Sequence, residues 1–98
     1  MRYTVIFTSK ARRQKERLPE DMEAAFDLLC AELEAEGPVR PNWPHYGRLR
    51  GKKNVHHCHL NKGKPRYVAV WKEHENTLAL LEIYYVGTHE KADYRRMD

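Results

Sequence analysis

The spacing of apolar residues changes at Gly37-Pro38, and this change limits the folds that the chain can adopt. Before it, an apolar stripe recurs at the three- and four-residue spacing of a helix: Met22, Ala25, Phe26, Leu29 and Leu33. After it come a proline-rich loop, Val39–Gly47, and then segments rich in β-branched and aromatic residues. Because glycine followed by proline ends a helix, helical and sheet-forming sequence are segregated along the chain.

The residues before this boundary predict one strand and two helices. Arg2–Thr8 is rich in β-branched and aromatic residues and predicts a strand. Ser9 is expected to cap a helix over Lys10–Leu18. Pro19 interrupts that helix and suits the first turn of a second one, which the apolar stripe occupies.

The residues after the boundary predict an antiparallel meander of about three strands. The segments are Arg48–Arg50 and Val55–Leu60 as strand material, a turn at Asn61–Pro65, a strand at Tyr67–Lys72, a strand at Leu78–Val86, and a short tail, Thr88–Asp98. The strand at Leu78–Val86 is the most apolar and is expected to be central. This order predicts a single α+β domain over residues 1–98, with helices packed on one face of a mainly antiparallel sheet.

Charge is segregated in the same way as structure. Gly37–Lys72 holds nine Lys or Arg, no acidic residue, and four of the six histidines. Glu20–Glu36 holds seven acids and no Lys or Arg, which we interpret as an ordinary solvated helix face. Basic residues grouped without acids favour a polyanionic partner, and histidines within such a surface add groups that move protons near neutral pH.

Cysteine content and hydropathy exclude several classes of protein. The two cysteines, Cys30 and Cys58, do not make a disulfide framework, and we expect reduced thiols in a cytoplasmic protein. No apolar run approaches the roughly 18 residues of a membrane span. The apolar segment near Met1 is too short for a signal peptide.

Four short motifs follow one another in the second half of the chain: Arg48-Leu49-Arg50-Gly51, His57-x-His59-Leu60, Arg66-Tyr67-Val68 and Val86-Gly87-Thr88-His89-Glu90-Lys91-x-x-Tyr94. In this order they resemble the RelE/ParE toxin superfamily of bacterial toxin–antitoxin systems. The order of predicted elements also agrees, so the resemblance covers nearly the whole chain. Because acid–base groups are retained, the chain is more similar to the RelE- and HigB-type messenger RNA interferases than to the gyrase-poisoning ParE branch.

The resemblance implies a set of catalytic residues. In the best-known ribosome-dependent member, two lysines occupy alternate positions on the strand after the glycine turn, and His57 and His59 stand there in this chain. Arg66 matches an arginine of the next strand, and Tyr94 matches a tyrosine near the C-terminus. His89 matches a C-terminal histidine that other members use. Histidine in place of lysine leaves open which group is the base and which is the acid.

These residue types suit RNA cleavage without a metal ion. The reaction needs a base for the 2′-OH, a cation for the phosphoryl oxygens and an acid for the 5′-oxygen. The pKa of histidine needs little shift for its side chain to act as a general acid or base near neutral pH. Alternation along a strand places His57 and His59 on one face, about 7 Å apart, and Arg66 is expected to offer a fork of donors to the same phosphate.

Other readings of the same residues stay open. His57 and His59 also fit a solvated sheet face. A metal site is disfavoured because alternation turns His56 and Cys58 to the opposite face, and no cofactor is expected. Cys58 fits the core better than a nucleophile.

The remaining basic and aromatic residues have two readings each. Arg48, Arg50, Lys52 and Lys53 are predicted to position RNA phosphates, although a solvated turn has the same composition. Trp43 and Tyr46 are predicted to anchor the loop and not to stack on bases. The cations of the first helix, Lys10, Arg12, Arg13, Lys15 and Arg17, suit either ribosomal RNA or solvent. Tyr94 either orients a base or packs the tail on the sheet.

The resemblance therefore favours a toxin that acts as an endoribonuclease on messenger RNA at the ribosome, with a cognate antitoxin as protein partner. The alternatives are a non-enzymatic inhibitor of a protein target such as DNA gyrase, as in ParE-type relatives, and a plain RNA-binding module. An enzyme needs His57, His59 and Arg66 intact, whereas a binder tolerates loss of both histidines.

Overall fold

A computed structural model describes residues 2–94 of the chain. It contains the elements β1 (Thr4–Phe7), α1 (Ser9–Glu16), α2 (Glu20–Glu36), β2 (Gly47–Arg48), β3 (Val55–His59), β4 (Tyr67–Glu73), β5 (Leu80–Thr88) and a 3₁₀ turn (His89–Lys91). The predicted tail, Thr88–Asp98, is thus a 3₁₀ turn in its first part, and residues 95–98 lie outside the described part of the chain.

The strands form one mixed sheet in the order β1-β5-β4-β3-β2. The β5, β4, β3 and β2 strands are antiparallel neighbours, whereas β1 pairs with β5 in parallel. The predicted α+β class is confirmed. The predicted meander of three strands gains a short fourth member, β2. The predicted Leu78–Val86 strand, observed as β5, lies inside the sheet between β1 and β4.

The helical hairpin begins one residue earlier than predicted. Thr8, and not Ser9, caps α1: its hydroxyl accepts from the backbone N–H of Ala11 at 3.0 Å. The second helix starts after Pro19 and carries Glu20, Asp21 and Glu23 in its first turn, where acids interact favourably with the helix dipole.

Gly37 ends α2, as predicted, because the backbone there requires glycine. Its φ of 94° lies in the left-handed region, and a Cβ atom would stand 2.9 Å from the Tyr3 ring. The next residue, Pro38, accepts from the indole N–H of the buried Trp71 at 3.1 Å. The exit from the helix is therefore fixed against the sheet.

Two apolar clusters cover the two faces of the sheet. On the helix side, Phe26, Leu29 and Leu33 of α2 pack with sheet residues such as Trp71 and Ile83, all fully buried. Burying one such side chain contributes about 1.5–3 kcal/mol. The other face carries a smaller cluster of Val55, Val68, Val70 and Tyr85. The large cluster confirms that the helices pack on one face, and leaves the opposite face for the polar residues described next.

Candidate active site

The alternation of β3 sends its histidines to opposite faces of the sheet. His57 lies opposite Val70 and His59 opposite Val68, on the face of the smaller apolar cluster. Cys58 is buried in the helix-side core. His56 is fully buried on that side, with its ring 5.9 Å from the Trp71 ring and nearly parallel to it. The structure thus places His57 and His59 together, and His56 and Cys58 away from them.

Five aromatic side chains meet on the face of the sheet that carries His57, and we call them the histidine cluster: His45, His57, His59, His89 and Tyr94. Ring centroids are 4.3 Å apart for His45 and His59, 5.6 Å for His59 and His89, 6.0 Å for His57 and Tyr94, and 6.4 Å for His89 and Tyr94. Four residues of the cluster are therefore imidazoles, contributed by the loop before β2, by β3 and by the 3₁₀ turn.

His45 is a member of the cluster that the sequence did not single out. Its ring stacks on His59 at an interplanar angle of 29°, and its backbone has a φ of 54°, which only a minority of non-glycine residues adopt. The carbonyl of the preceding Pro44 accepts from the backbone N–H of His59 at 2.8 Å. The loop is thereby joined to β3 at the point where the two rings meet. The available signal was its position within the acid-free segment.

Arg66 reaches the same place from the turn between β3 and β4. It lines an open cavity of about 360 Å³ together with Pro44, His45, His59, Asn61 and Lys62. The backbone N–H of His89 donates to the carbonyl of Arg66 at 2.7 Å, so the turn and the 3₁₀ segment are linked. The cavity offers two imidazoles and two cations, which is a suitable setting for an anion.

The orientation of His57 follows from one hydrogen bond. Its Nδ1 lies 2.9 Å from the carbonyl oxygen of Gly47. A carbonyl only accepts, so Nδ1 carries the proton, and Nε2 of the neutral ring keeps a free lone pair. Burial lowers the pKa of His57 and so do the neighbouring imidazoles, although the Gly47 bond opposes them. This ring is therefore set up to accept a proton at neutral pH.

His59 is also held in its neutral form. Burial is the main cause that lowers its pKa, and the positive potential of His45, His89 and Arg66 adds to it. Because a nearby positive charge such as that of Arg66 disfavours the imidazolium, an anion bound beside it would reverse this effect and raise the pKa of His59. Burial likewise raises the pKa of Tyr94, which stays a neutral phenol.

The four predicted RNA-binding residues lie apart from the cluster. Arg48 pairs with His56 across β2 and β3, so it shares the face of the sheet opposite to His57. Arg50 lies in the exposed turn that follows. Lys52 and Lys53 lie in the turn before β3, and Lys53 forms an ion pair with Glu75 at 3.3 Å. Their role in RNA binding stays a prediction.

Trp43 and Tyr46 anchor the loop that carries His45. The indole N–H of Trp43 donates to Glu32 at 2.9 Å, and the hydroxyl of Tyr46 lies 2.8 Å from Nδ1 of His56. His56 in turn donates from Nε2 to Glu73 at 2.7 Å. Both aromatic rings pack against the helix-side core, which agrees with the prediction of anchors over stacking platforms.

Within residues 2–94, no group of three or more His, Cys, Asp or Glu side chains is arranged to hold a metal ion. Over the same range, no helix has the length and apolar character needed to cross a membrane.

The fold is that of solved bacterial toxins. A double mutant of the E. coli toxin RelE in the free state superposes with a TM-score of 0.75 at 15% identity, over 99% of this chain and 94% of that one. The toxin–antitoxin complex RelBE of E. coli gives 0.68 at 16% identity, over 91% and 99%. The YoeB dimer of Staphylococcus aureus gives 0.69 at 12% identity, over 91% and 99%.

Sequence comparison gives no such match. No protein-family model matches the chain, and no curated protein matches its sequence. At identities this low the superpositions establish a shared fold, while the chemistry has to be argued from the side chains of this chain.

Proposed function

We propose that this chain, which has the fold of the RelE and YoeB toxins, is the toxin of a toxin–antitoxin pair and cuts messenger RNA. The observation that carries the proposal is the histidine cluster, in which four imidazoles and Tyr94 lie beside the Arg66 cavity. Three of its members, His45, His57 and His59, lie in Gly37–Lys72, the segment that is rich in cations and free of acids. Proton-transfer groups and phosphate-binding groups thus occupy one surface.

In this proposal His57 is the base. Its unprotonated Nε2 takes the proton of the 2′-OH, because Nδ1 is occupied by the Gly47 carbonyl. The 2′-oxygen then forms a bond to the adjacent phosphorus. Arg66 stabilises the charge that develops on the phosphoryl oxygens, which is often the largest catalytic contribution.

His59 is the proposed acid. As the bond between phosphorus and the 5′-oxygen breaks, its imidazolium gives a proton to that oxygen, leaving a cyclic 2′,3′-phosphate and a 5′-hydroxyl. Burial lowers the pKa of this ring in the free protein, and the incoming phosphate raises that pKa and so loads the ring with the proton it donates. Protonation and substrate binding are therefore coupled, and dependence on the 2′-OH makes RNA the substrate.

The partners follow from the same proposal. One of the solved structures with this fold is a toxin bound to its antitoxin, and we propose a cognate antitoxin for this chain. Messenger RNA on the ribosome, and hence the cytoplasm, is the proposed site of action. The ribosome would supply both the positioned substrate and a large anionic surface.

Induced expression in a bacterial host tests the proposal. The variants are wild type, the double substitution His57→Ala with His59→Ala, and His74→Ala as a control, since His74 bonds Glu82 outside the cluster. Growth and the 5′-ends of cellular RNA are followed after induction. We expect wild type and His74→Ala to stop growth and produce new RNA ends, and the double variant to do neither.

The alternative function predicts a different result. If the double variant stops growth as strongly as wild type and neither produces new RNA ends, the nuclease proposal is wrong. A non-enzymatic inhibitor of a protein such as gyrase would then be the better description.

A further inference from the structure

A second cavity, on the side of the sheet where α1 packs, has no part in the chemistry described above. It measures about 450 Å³ and lies between α1 and the adjoining ends of β4 and β5. Three exposed cations line it, Lys10, Arg17 and Lys91, and we call it the basic cavity. None of the residues that line it within the described part of the chain is acidic.

One hydrogen bond holds α1 against the sheet beside the basic cavity. Lys10 and Gln14 share one face of the helix, and Arg17, the C-cap residue, follows Gln14 at the next three-residue step. The side-chain oxygen of Gln14 accepts from the backbone N–H of Val86 at 3.1 Å, which docks that face onto β5. Lys15, on another face, instead forms ion pairs with Glu23 at 3.5 Å and Asp27 at 3.4 Å. Lys10 and Arg17 thus line a cavity without acids, whereas Lys15 is paired with carboxylates.

The basic cavity and the histidine cluster are joined through one short segment. The 3₁₀ turn His89–Lys91 places its first residue in the histidine cluster and its last in the wall of the basic cavity. The start of β4 also joins the two sites. Tyr67 lines the basic cavity, and the preceding Arg66 lines the cavity beside His59. Tyr67 and Thr88 are directly paired. The two sites thus lie on either side of the same strand ends.

We infer that the basic cavity binds a second backbone phosphate of the RNA strand whose cleaved phosphate lies at the histidine cluster. The inference rests on the proposed function and adds a substrate contact to it. Several cations around one opening without an acid suit a phosphate group, and such contacts position a strand without reading its sequence. A strand that passes over the ends of β4 and β5 would meet both sites.

The salt dependence of RNA binding tests the inference. The probe is a fluorescein-labelled RNA oligonucleotide with 2′-fluoro sugars, which lacks the attacking hydroxyl and so cannot be cut. Binding is measured by fluorescence anisotropy at several salt concentrations. Each phosphate contact contributes about 0.7 to the slope of log K against log salt for a single strand.

Two triple variants make a matched comparison. The cavity variant carries Lys10→Gln, Arg17→Gln and Lys91→Gln, and the control carries Arg12→Gln, Arg13→Gln and Lys15→Gln. Both remove three positive charges from exposed or half-exposed positions, and none of the control residues lines the basic cavity. We expect the cavity variant to lose about 0.7 or more of the slope and at least fivefold more affinity than the control. Lys91→Gln alone repeats the measurement should the triple variant unfold.

The results separate this inference from the proposed function. Equal slopes and affinities for the cavity variant and the control would overturn the inference, while new RNA ends in cells would still support the nuclease. If wild type does not bind the probe at all, the inference also fails, and the fate of the nuclease proposal is decided by the RNA ends alone.

Discussion

At the scale of single residues, the four imidazoles of the histidine cluster reach their places by three different local rules. His57 and His59 follow from strand alternation, which the sequence displays, and their common face was predicted correctly. His89 follows the end of β5 and was assigned by resemblance. His45 was missed because it lies in a proline-rich loop, where neither the helical nor the strand period applies and a left-handed residue turns its ring onto His59.

The assignment of His57 as base predicts the effect of His57→Asn. The amide nitrogen of asparagine can occupy the place of Nδ1 and keep the hydrogen bond to Gly47, while the accepting nitrogen is lost. We expect a free energy of unfolding within about 1 kcal/mol of wild type and cleavage slower by roughly 10²–10⁴-fold. Urea denaturation and single-turnover RNA cleavage measure the two quantities. A variant that cuts as fast as wild type would remove His57 from the chemistry.

The pH dependence of cleavage is a second prediction at this scale. A base must be neutral to act, and the pKa of His57 lies below its usual 6.5 because of burial. The rate should therefore rise with pH along an acidic limb whose midpoint lies below 6.5, and His57→Asn should abolish that limb. The pH profile of kcat/KM, measured with subsaturating RNA, reports the pKa of the free protein and so measures this limb. An unchanged limb in the variant would assign it to another group.

At the scale of elements, the loop between α2 and β2 depends on one carboxylate. Oε1 of Glu32 accepts from Arg40 at 3.2 Å, from Asn42 at 2.8 Å and from Trp43 at 2.9 Å. The sequence predicted Trp43 and Tyr46 as loop anchors. It did not single out Glu32, because the acids of α2 look alike in sequence and only the folded loop shows which one faces its donors.

Glu32→Ala should therefore act on the histidine cluster from a distance. Loss of these hydrogen bonds is expected to cost about 1–3 kcal/mol and to release the loop, so that His45 leaves His59. The measurements are urea denaturation and the NMR chemical shifts of the His45 and His59 rings. Glu36→Ala, at an exposed position of the same helix, is the control and should change neither. Unchanged ring shifts in Glu32→Ala would show that the loop is held by other contacts.

At the scale of the whole molecule, the α+β class and the one-sided packing of helices could be predicted from the change of period at Gly37. The parallel pairing of β1 with β5 could not, because alternation shows which face a residue occupies and not which strand lies beside it. Likewise, only the register of β2 against β3 shows that Arg48 lies on the face of the sheet opposite to His57. Local patterns thus gave the elements, and non-local pairing decided which side chains meet.

The three histidines of β3 predict how stability depends on pH. Burial lowers the pKa of His56, His57 and His59 in the folded protein, so the unfolded chain binds more protons just below pH 6.5. The stability that these neutral histidines contribute should therefore be fully present above pH 6.5. It should be lost as the pH decreases from there through the lowered pKa values of the folded protein. Urea denaturation between pH 7.5 and 5 measures this slope. The double variant His57→Asn with His59→Asn should flatten it, and an unchanged slope would contradict the assignment.

The insertion of β5 between β1 and β4 has a consequence for synthesis. The β1 strand finds its partner only when Leu80–Thr88 has been made, since β5 is its one neighbour in the sheet among residues 2–94. The histidine cluster is completed later still, because His89 follows that strand in the sequence. A nascent chain that does not yet include His89 has no complete histidine cluster, and one that does not yet include β5 has no complete sheet. On the proposed function, an active molecule can therefore exist only after His89 has been made.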